Sequence, residues 1–256
     1  MVLYHKMKKI KKVLGALRRA DQDYGLIENN DHIVVGVSGG KDSLTLLYAL
    51  GLYRKFSKKD FRITGIYIDV GFGEEGFENV VHFFEQQDIS LIRVETRIKN
   101  MLEQHLHNGE LNCHLCSRLK KGTLIKEAKD RGAIKIALGH HADDAMETLL
   151  LNMIYGGKME TMPFKRYMTR EEVYVIRPLL YATEQDIIDT AKELELPVLK
   201  SKCPRDKHSQ RESMKQLLNE LYETYPEAHS NFLKSLENEE QRQLWIKEFD
   251  NTDEEE

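Results

Sequence analysis

The residues with the clearest chemical potential lie at positions 33–47, Ile-Val-Val-Gly-Val-Ser-Gly-Gly-Lys-Asp-Ser-Leu-Thr-Leu-Leu. A β-branched run stops at Ser38-Gly39-Gly40, and an apolar-periodic segment resumes at once with Lys41, Asp42 and Ser43 in its first turn. That order reads as strand, tight turn, helix start. Glycines let backbone N–H groups turn inward, and the exposed N–H groups and dipole of the following helix add positive potential, so a phosphate chain is the natural guest. The loop is not a Walker A motif, which needs Gly where Val35 stands and Ser or Thr where Asp42 stands.

Two further groups could do chemistry. The chain has three cysteines, Cys113-x-x-Cys116 at the entry to a helix and Cys203 in a distant loop. An odd count does not suit a secreted disulfide framework. Three thiolates suit a 4Fe–4S cluster with one iron left open, or zinc completed by His114 or His208; a thioredoxin-like pair lacks its surrounding context. The other group is His140, His141, Asp143, Asp144 and Glu147. Helical spacing puts Asp143 and Glu147 on one face and Asp144 and Thr148 on the next. Carboxylates at a strand's carboxyl end beside a phosphate loop can hold Mg²⁺, with Asp42 and Asp144 as candidate ligands. Simple N-capping by Asp143 is the alternative.

These residues need a scaffold that brings strand ends together. Strands are expected at Ile33–Val37, Phe61–Asp69, Ile89–Val94, Ile134–Leu138 and Val173–Pro178. Helices are expected after Gly40 to about Phe56, from Glu78 to Gln87, from Asn112 to about Lys129, from Gly139 through Ile154, and from a Thr183 cap to Leu194. Alternation of this kind with short turns means an α/β fold with a doubly wound, mainly parallel sheet. Ligands of such sheets sit at strand carboxyl ends near the switch point, which puts Tyr67 to Val70 beside the glycine loop. Residues 161–170 read as loop, and Pro178 suggests that its strand is an edge or stops there. An amphipathic helix carries Ile10, Val13, Leu14 and Leu17 near the start, and residues 209–225 and 227–247 look helical. The expected organisation is a basic N-terminal helix (1–28), an α/β nucleotide domain (29–200), a helical C-terminal extension (201–249) and an acidic tail (250–256).

The composition, 41% hydrophobic and 31% charged over 256 residues, is that of an ordinary soluble protein. No apolar run approaches the roughly 20 residues a membrane span needs, and the basic start lacks an apolar signal core, so no membrane and a cytoplasmic location are expected. The net charge of −4 is uneven: residues 237–256 hold nine acids against Arg242 and Lys247, which leaves +3 on the rest. Residues 1–20 hold seven Lys or Arg and no acid, and residues 200–215 hold six against two acids. Such segments either grip a polyanion or form solvated helix faces.

Ser-Gly-Gly-Lys-Asp-Ser at 38–43 resembles the pyrophosphatase loop of the N-type ATP pyrophosphatases. With Cys-His-Leu-Cys-Ser-Arg-Leu-Lys-Lys-Gly at 113–122, Leu-Gly-His-His-Ala-Asp-Asp-Ala-Met-Glu-Thr at 138–148, Leu-Asn-Met-Ile-Tyr-Gly-Gly at 151–157, Ile-Arg-Pro-Leu at 176–179, and Cys203 followed by Gln210-Arg211, the chain resembles the tRNA 2-thiocytidine synthetases (TtcA type) of the PP-loop class over nearly all of residues 1–230. It departs from their pattern at Pro-Arg-Asp-Lys-His-Ser, 204–209, and at the 71–76 loop.

The resemblance implies an ATP- and Mg²⁺-dependent transferase that adenylates cytidine at tRNA position 32 and replaces its 2-oxygen with sulfur, using a 4Fe–4S cluster. It implies tRNA as partner, a sulfur donor such as a cysteine desulfurase, and a homodimer. Carried over residue by residue, Ser38, Gly39, Gly40, Lys41, Asp42 and Ser43 hold the phosphates. Ile68, Asp69, Gly139, His140, Asp143 and Asp144 line the rest of the ATP site, and Cys113, Cys116 and Cys203 hold the cluster. Lys41, Asp42, Cys113 and Cys203 are the candidate catalytic residues. Lys8, Lys12, Arg118, Lys165, Arg205, Lys207 and Arg211 are the candidates for RNA. Two other readings stay open: an adenylating ligase of the lysidine type, or another amidating enzyme, with a structural zinc; and an ATP- and metal-binding regulatory module without turnover.

Overall fold

The computed structural model describes residues 8–106, 109–200, 202–203 and 210–238. Two compact units divide the chain, residues 1–215 and 216–256. In chain order the elements are α1 (Ile10–Tyr24), β1 (Asp31–Val37), α2 (Lys41–Phe56), β2 (Phe61–Asp69), α3 (Phe77–Glu85), β3 (Ser90–Glu95), α4 (Ile98–Gln104), α5 (Cys113–Asp130), β4 (Lys135–Ala137), α6 (Ala142–Gly156), β5 (Lys165–Met168), β6 (Val173–Ile176), α7 (Glu184–Glu193), α8 (Gln210–Thr224) and α9 (Ala228–Glu237). In the second unit, Tyr222 packs edge-on against the His229 and Phe232 rings.

The first unit is built on a sheet of order β3-β2-β1-β4-β6-β5, parallel except for the antiparallel β5–β6 pair. β1 is central, and its alternate residues enter different cores. Ile33, Val35 and Val37 pack with the apolar faces of α1, α2 and α7, whereas Val34 joins Ile66, Ile68 and Ile136 beneath α4 and α5. A strand covered on both faces is apolar at every position, which is why β1 reads as an unbroken run. Gly36 faces α5 so closely that a Cβ there would lie 2.8 Å from Leu124 Cδ2. Strand order reverses between β1 and β4, so the crevice of this doubly wound sheet opens at their carboxyl ends, between Ser38 and Gly139.

Three local expectations change. Residues 165–168, expected in a loop, form edge strand β5, whose Lys-Arg-Tyr-Met sequence presents charge rather than an apolar run, as exposed edges do. The edge is therefore β5 and not β6; Pro178 lies just past the end of β6, where no ladder N–H is needed. The short helix α4 carries no signal in the sequence, because only Ile98 and Leu102 in it are buried and seven residues hold too few apolar positions to set a period. Of the helix expected at 227–247, the described part is α9; its remainder and the 250–256 tail lie outside the described residues. Among the described residues no helix is long and apolar enough to cross a membrane.

α1 belongs to the core, with Val13 and Leu17 fully buried. Its end is anchored by buried Asp21, which accepts from Ile27 N–H (2.9 Å), the Tyr53 hydroxyl (2.7 Å) and Lys59 Nζ (2.6 Å). Replacing Asp21 by Ala strands a buried hydroxyl, an N–H and part of a cation at once. We expect Asp21→Ala to cost about 3 kcal/mol of unfolding free energy, less than a fully buried pair because Lys59 reaches water. Urea denaturation of this variant against wild type checks it.

Candidate active site

The glycine loop joins the end of β1 to the start of α2. Gly39 has φ +84°, and a Cβ on it would lie 2.7 Å from Leu199 Cδ1, so the turn and the segment after α7 both require glycine here. Leu199 N–H also donates to Gly39 O at 2.9 Å. Inside the loop, Ser43 Oγ accepts from Ser38 N–H (3.0 Å), donates to Gly40 O (3.1 Å) and lies 3.1 Å from Ser38 Oγ. The turn is therefore braced by its own serines. No side chain caps α2, and Leu44 N–H is the first to bond back, to Gly40 O, which leaves the N–H groups of Lys41, Asp42 and Ser43 to an outside acceptor.

Lys41 Nζ lies 2.9 Å from Asp42 Oδ1 and 3.0 Å from Glu184 Oε1. Burial works against its charge, but these two carboxylates outweigh it and hold its pKa above the ordinary lysine value. Glu184 also takes Lys215 Nζ at 2.7 Å.

Across the crevice, α6 starts with a capping box in which His141 N–H donates to Asp144 Oδ2 (3.0 Å) and Asp144 N–H to His141 Nδ1 (3.4 Å). His141, and not Asp143, is the N-cap. Asp143 instead accepts the Glu184 N–H of α7 at 2.6 Å. The two candidate Mg²⁺ ligands both approach His141, whose Nε2 is 3.4 Å from Asp144 Oδ2 and 3.9 Å from Asp42 Oδ1. Burial disfavours the His141 cation, yet Asp143, Asp144 and Asp42 raise its pKa overall. Burial pushes neighbouring His140 down to about 4; Asp144 favours its cation, but the Arg177, Arg211 and His141 charges oppose it. Glu147 is buried and pushed up to about 7, by burial first and by the Asp144 charge second.

A cavity of about 450 Å³ lies between the sheet and α5, walled by Ser38, Ile68, Leu138, Ser117, Lys120 and Arg177 among others. A second, of about 300 Å³, is lined by Cys113, Cys116 and Cys203 and again by Ser117 and Lys120. The two cavities thus share a wall. Burial raises the Cys116 pKa, which Lys120 opposes and the nearby Cys203 and Cys113 side chains reinforce. Among the described residues no three His, Cys, Asp or Glu side chains stand close enough to hold a single metal ion.

The structure therefore gathers the loop residues, Ile68, Gly139, His140, Asp144 and the three cysteines around one crevice. Asp69 is set aside from it, accepting from Gly71 N–H at 2.8 Å and pairing with Arg93, so it shapes the 71–76 loop. Several candidates for RNA hold internal partners instead. Lys12 pairs with Asp186 at 3.2 Å, Lys165 Nζ donates to Gly25 O at 2.9 Å, and Arg211 pairs with Asp144 (3.0 Å) and donates to Thr148 Oγ1 (3.2 Å). Lys8 is exposed, with its N–H on Glu193, and Arg118 lines a groove on the outer side of α5 with Lys121 and Lys126. Arg205, Lys207 and His208 lie outside the described residues. Sequence reasoning missed Ser117, Lys120, Arg177 and Glu184. Helical spacing carried a signal for two of them, since Ser117 and Lys120 follow Cys113 and Cys116 at i+4; Glu184 had none.

The sequence profile of the PP-loop domain family matches residues 4–221. The tRNA-cytidine(32) 2-sulfurtransferase of Geobacter sulfurreducens is 36% identical over 236 residues, covering 91% of this chain and 92% of that protein. The chain belongs to the tRNA-cytidine 2-sulfurtransferase family of PP-loop proteins. It is a family of transferases. Other members are the enzymes of Ralstonia pickettii, 37% identical over 86% of this chain and 70% of theirs, and Idiomarina loihiensis, 38% identical over 86% and 74%. Among solved structures, the U34-tRNA thiolase NcsA of Methanococcus maripaludis, determined with its 4Fe–4S cluster, is similar with a TM-score of 0.71 and 25% identity, covering 90% of this chain and 78% of that one.

Glu147 gives this site a pH signature. Its folded pKa of about 7 exceeds the ordinary 4.5, so the folded state binds the proton more tightly. Its contribution is full below pH 4.5 and is lost as pH rises through 7. Glu147→Gln removes that loss, and we expect the variant to gain on the order of 2 kcal/mol relative to wild type between pH 5 and pH 8, read from urea midpoints at the two pH values.

Proposed function

We propose that this chain is an ATP-dependent tRNA sulfurtransferase of the cytoplasm, which adenylates the 2-oxygen of cytidine 32 and exchanges that oxygen for sulfur. The observation that carries the reading is the shared wall: the cavity at the glycine loop and the cavity of the three thiols meet at Ser117 and Lys120. A base lying at that wall is within reach of both the activating phosphate and a sulfur source.

The loop's role follows from its free donors. The N–H groups of Lys41, Asp42 and Ser43 and the start of α2 hold the pyrophosphate as it leaves, and Lys41, kept charged by Asp42 and Glu184, neutralises part of its growing charge. The 2-oxygen of the base attacks the α-phosphate; the α–β phosphoanhydride bond breaks and pyrophosphate departs. Phosphorylation turns a poor leaving oxygen into that of AMP, which sulfide then displaces at carbon 2 to give 2-thiocytidine. Asp42 and Asp144, both near His141 Nε2, are the carboxylates that would hold Mg²⁺.

Cys113, Cys116 and Cys203 would hold the 4Fe–4S cluster. The fit rests on three thiols lining one cavity of about 300 Å³, a donor set of soft ligands that suits an iron–sulfur cluster. When bound, a cluster with three thiolates leaves one iron free to keep sulfide available and protected from water. Ser117 and Lys120 form the passage between the cavities, with Lys120 placed to steady anionic sulfur. A separate sulfur donor and a homodimeric assembly complete the proposal.

The deciding experiment incubates anaerobically purified protein with ATP, sulfide and tRNA lacking the modification, then digests the tRNA for nucleoside mass spectrometry. We expect iron and acid-labile sulfide in the protein, 2-thiocytidine at position 32, and its loss with Cys203→Ser. Zinc in place of iron, or tRNA left unchanged by iron-loaded protein, would refute the reading. Gly139 supplies a second prediction: a Cβ there would stand 2.9 Å from Asp42 C and 3.0 Å from Ser43 N, both backbone atoms that only a loop shift can relieve. Gly139→Ala should therefore weaken ATP binding by about tenfold or more, equivalent to ~1.4 kcal/mol, by isothermal calorimetry.

A further inference from the structure

Arg177 follows the last residue of β6, and its main chain is fixed by an N–H bond to Phe164 O at 2.8 Å. Its side chain is poorly compensated. Nη1 donates to Pro163 O at 2.8 Å, but Nε is buried without a hydrogen-bond partner, and among the described residues no ion pair to a carboxylate is formed. Burial draws its pKa below the ordinary arginine value, and the Arg166 charge adds to that. One carbonyl does not repay the desolvation of a guanidinium.

The surroundings indicate what is missing. Arg177 lines the 450 Å³ cavity together with Arg166, Lys120 and Lys121, and among the described residues no Asp or Glu lines it. Four cations with no acid form a field for an anion. On the same side His140 Nδ1, within electrostatic range of Arg177, is also buried without a partner. Two buried polar atoms left unbonded in one neighbourhood call for a ligand. The glycine loop already offers donors at the end of β1, whereas Arg177 enters the cavity from β6, on the far side of β4.

We propose that Arg177 is a phosphate-binding residue, whose guanidinium takes a phosphate oxygen of a ligand in this cavity at a point separate from the glycine loop. This rests on the reading of the cavity as the place where nucleotide and RNA meet. Two sources supply such an oxygen, the α-phosphate of ATP and a phosphodiester beside the target base. A planar fork with a free Nε–H suits either.

The test uses full-length, cluster-loaded protein, with Arg177→Gln and Arg177→Lys compared with wild type for binding of α,β-methylene-ATP, binding of unmodified tRNA, and thermal unfolding. We expect Arg177→Gln to bind one of the ligands at least tenfold more weakly, with Arg177→Lys between it and wild type, and with Tm unchanged or raised because an uncompensated buried charge has been removed. Weakening confined to the nucleotide assigns the α-phosphate. Weakening confined to tRNA, with the salt dependence of binding reduced by about one phosphate contact, assigns the phosphodiester. If wild type binds both ligands and Arg177→Gln binds both within twofold, the assignment falls alone. A lowered Tm in both variants with affinities intact would make Arg177 a strut for the Pro163 carbonyl and likewise overturn it. Wild type that binds neither ligand would overturn the nucleotide-and-RNA reading and this assignment together.

Discussion

The approach of the Gly139 backbone to the Asp42–Ser43 peptide is the contact on which the crevice depends. It brings the amino ends of α2 and α6 side by side at the point where strand order reverses, so the positive ends of two helix dipoles face one opening. The surrounding carboxylates serve that arrangement. Asp144 closes the capping box of α6, Asp143 reaches over to the start of α7, and Glu184 at that start returns to Lys41 in the glycine loop. The circuit α2–α6–α7 is closed by polar contacts between helix beginnings, and an apolar core shared with α1 holds α2 and α7 from below.

The charge pattern has a second meaning in this light. The basic segments looked like surfaces for a polyanion, and part of that charge is spent inside the molecule. Lys9 and Lys12 of the first segment meet Asp189 and Asp186 on α7, and Arg211 of the second meets Asp144. Exposed pairs of this kind add little stability, but they set which faces of α1 and α7 meet and place a guanidinium beside the α6 carboxylates. Among the described residues, Lys120, Lys121, Arg166 and Arg177 line the cavity under α5 with no acid beside them in its wall.

Legibility followed the range of the interactions. The strand, glycine turn and helix at 31–56 could be read because propensity, period and turn chemistry act within a few residues, and β2 was read to the residue for the same reason. β5 was hidden because an edge strand with one covered face and charged side chains carries no apolar run, and α4 because it is too short to show a period. In the site, the glycine loop and the Cys113–Cys116 pair were local and visible. Arg211 on Asp144, 67 residues away, and Asp143 on Glu184, 41 residues away, were not, since only the folded chain brings them together. N-capping by Asp143 is one of two readings of that residue; the cap falls to His141, a type with little capping preference, because its reciprocal bonds with Asp144 form only in the folded turn.

Both cavities are walled by one helix. Cys113, Cys116, Ser117, Lys120 and Leu124 sit on α5 within three turns, so thiols and nucleotide cavity are indexed to each other by helical pitch alone. A single residue inserted between Ser117 and Lys120 would rotate everything after it by about 100° and turn Lys120 and Leu124 away from the sheet. The length of this stretch is therefore fixed to the residue by the two cavities it walls.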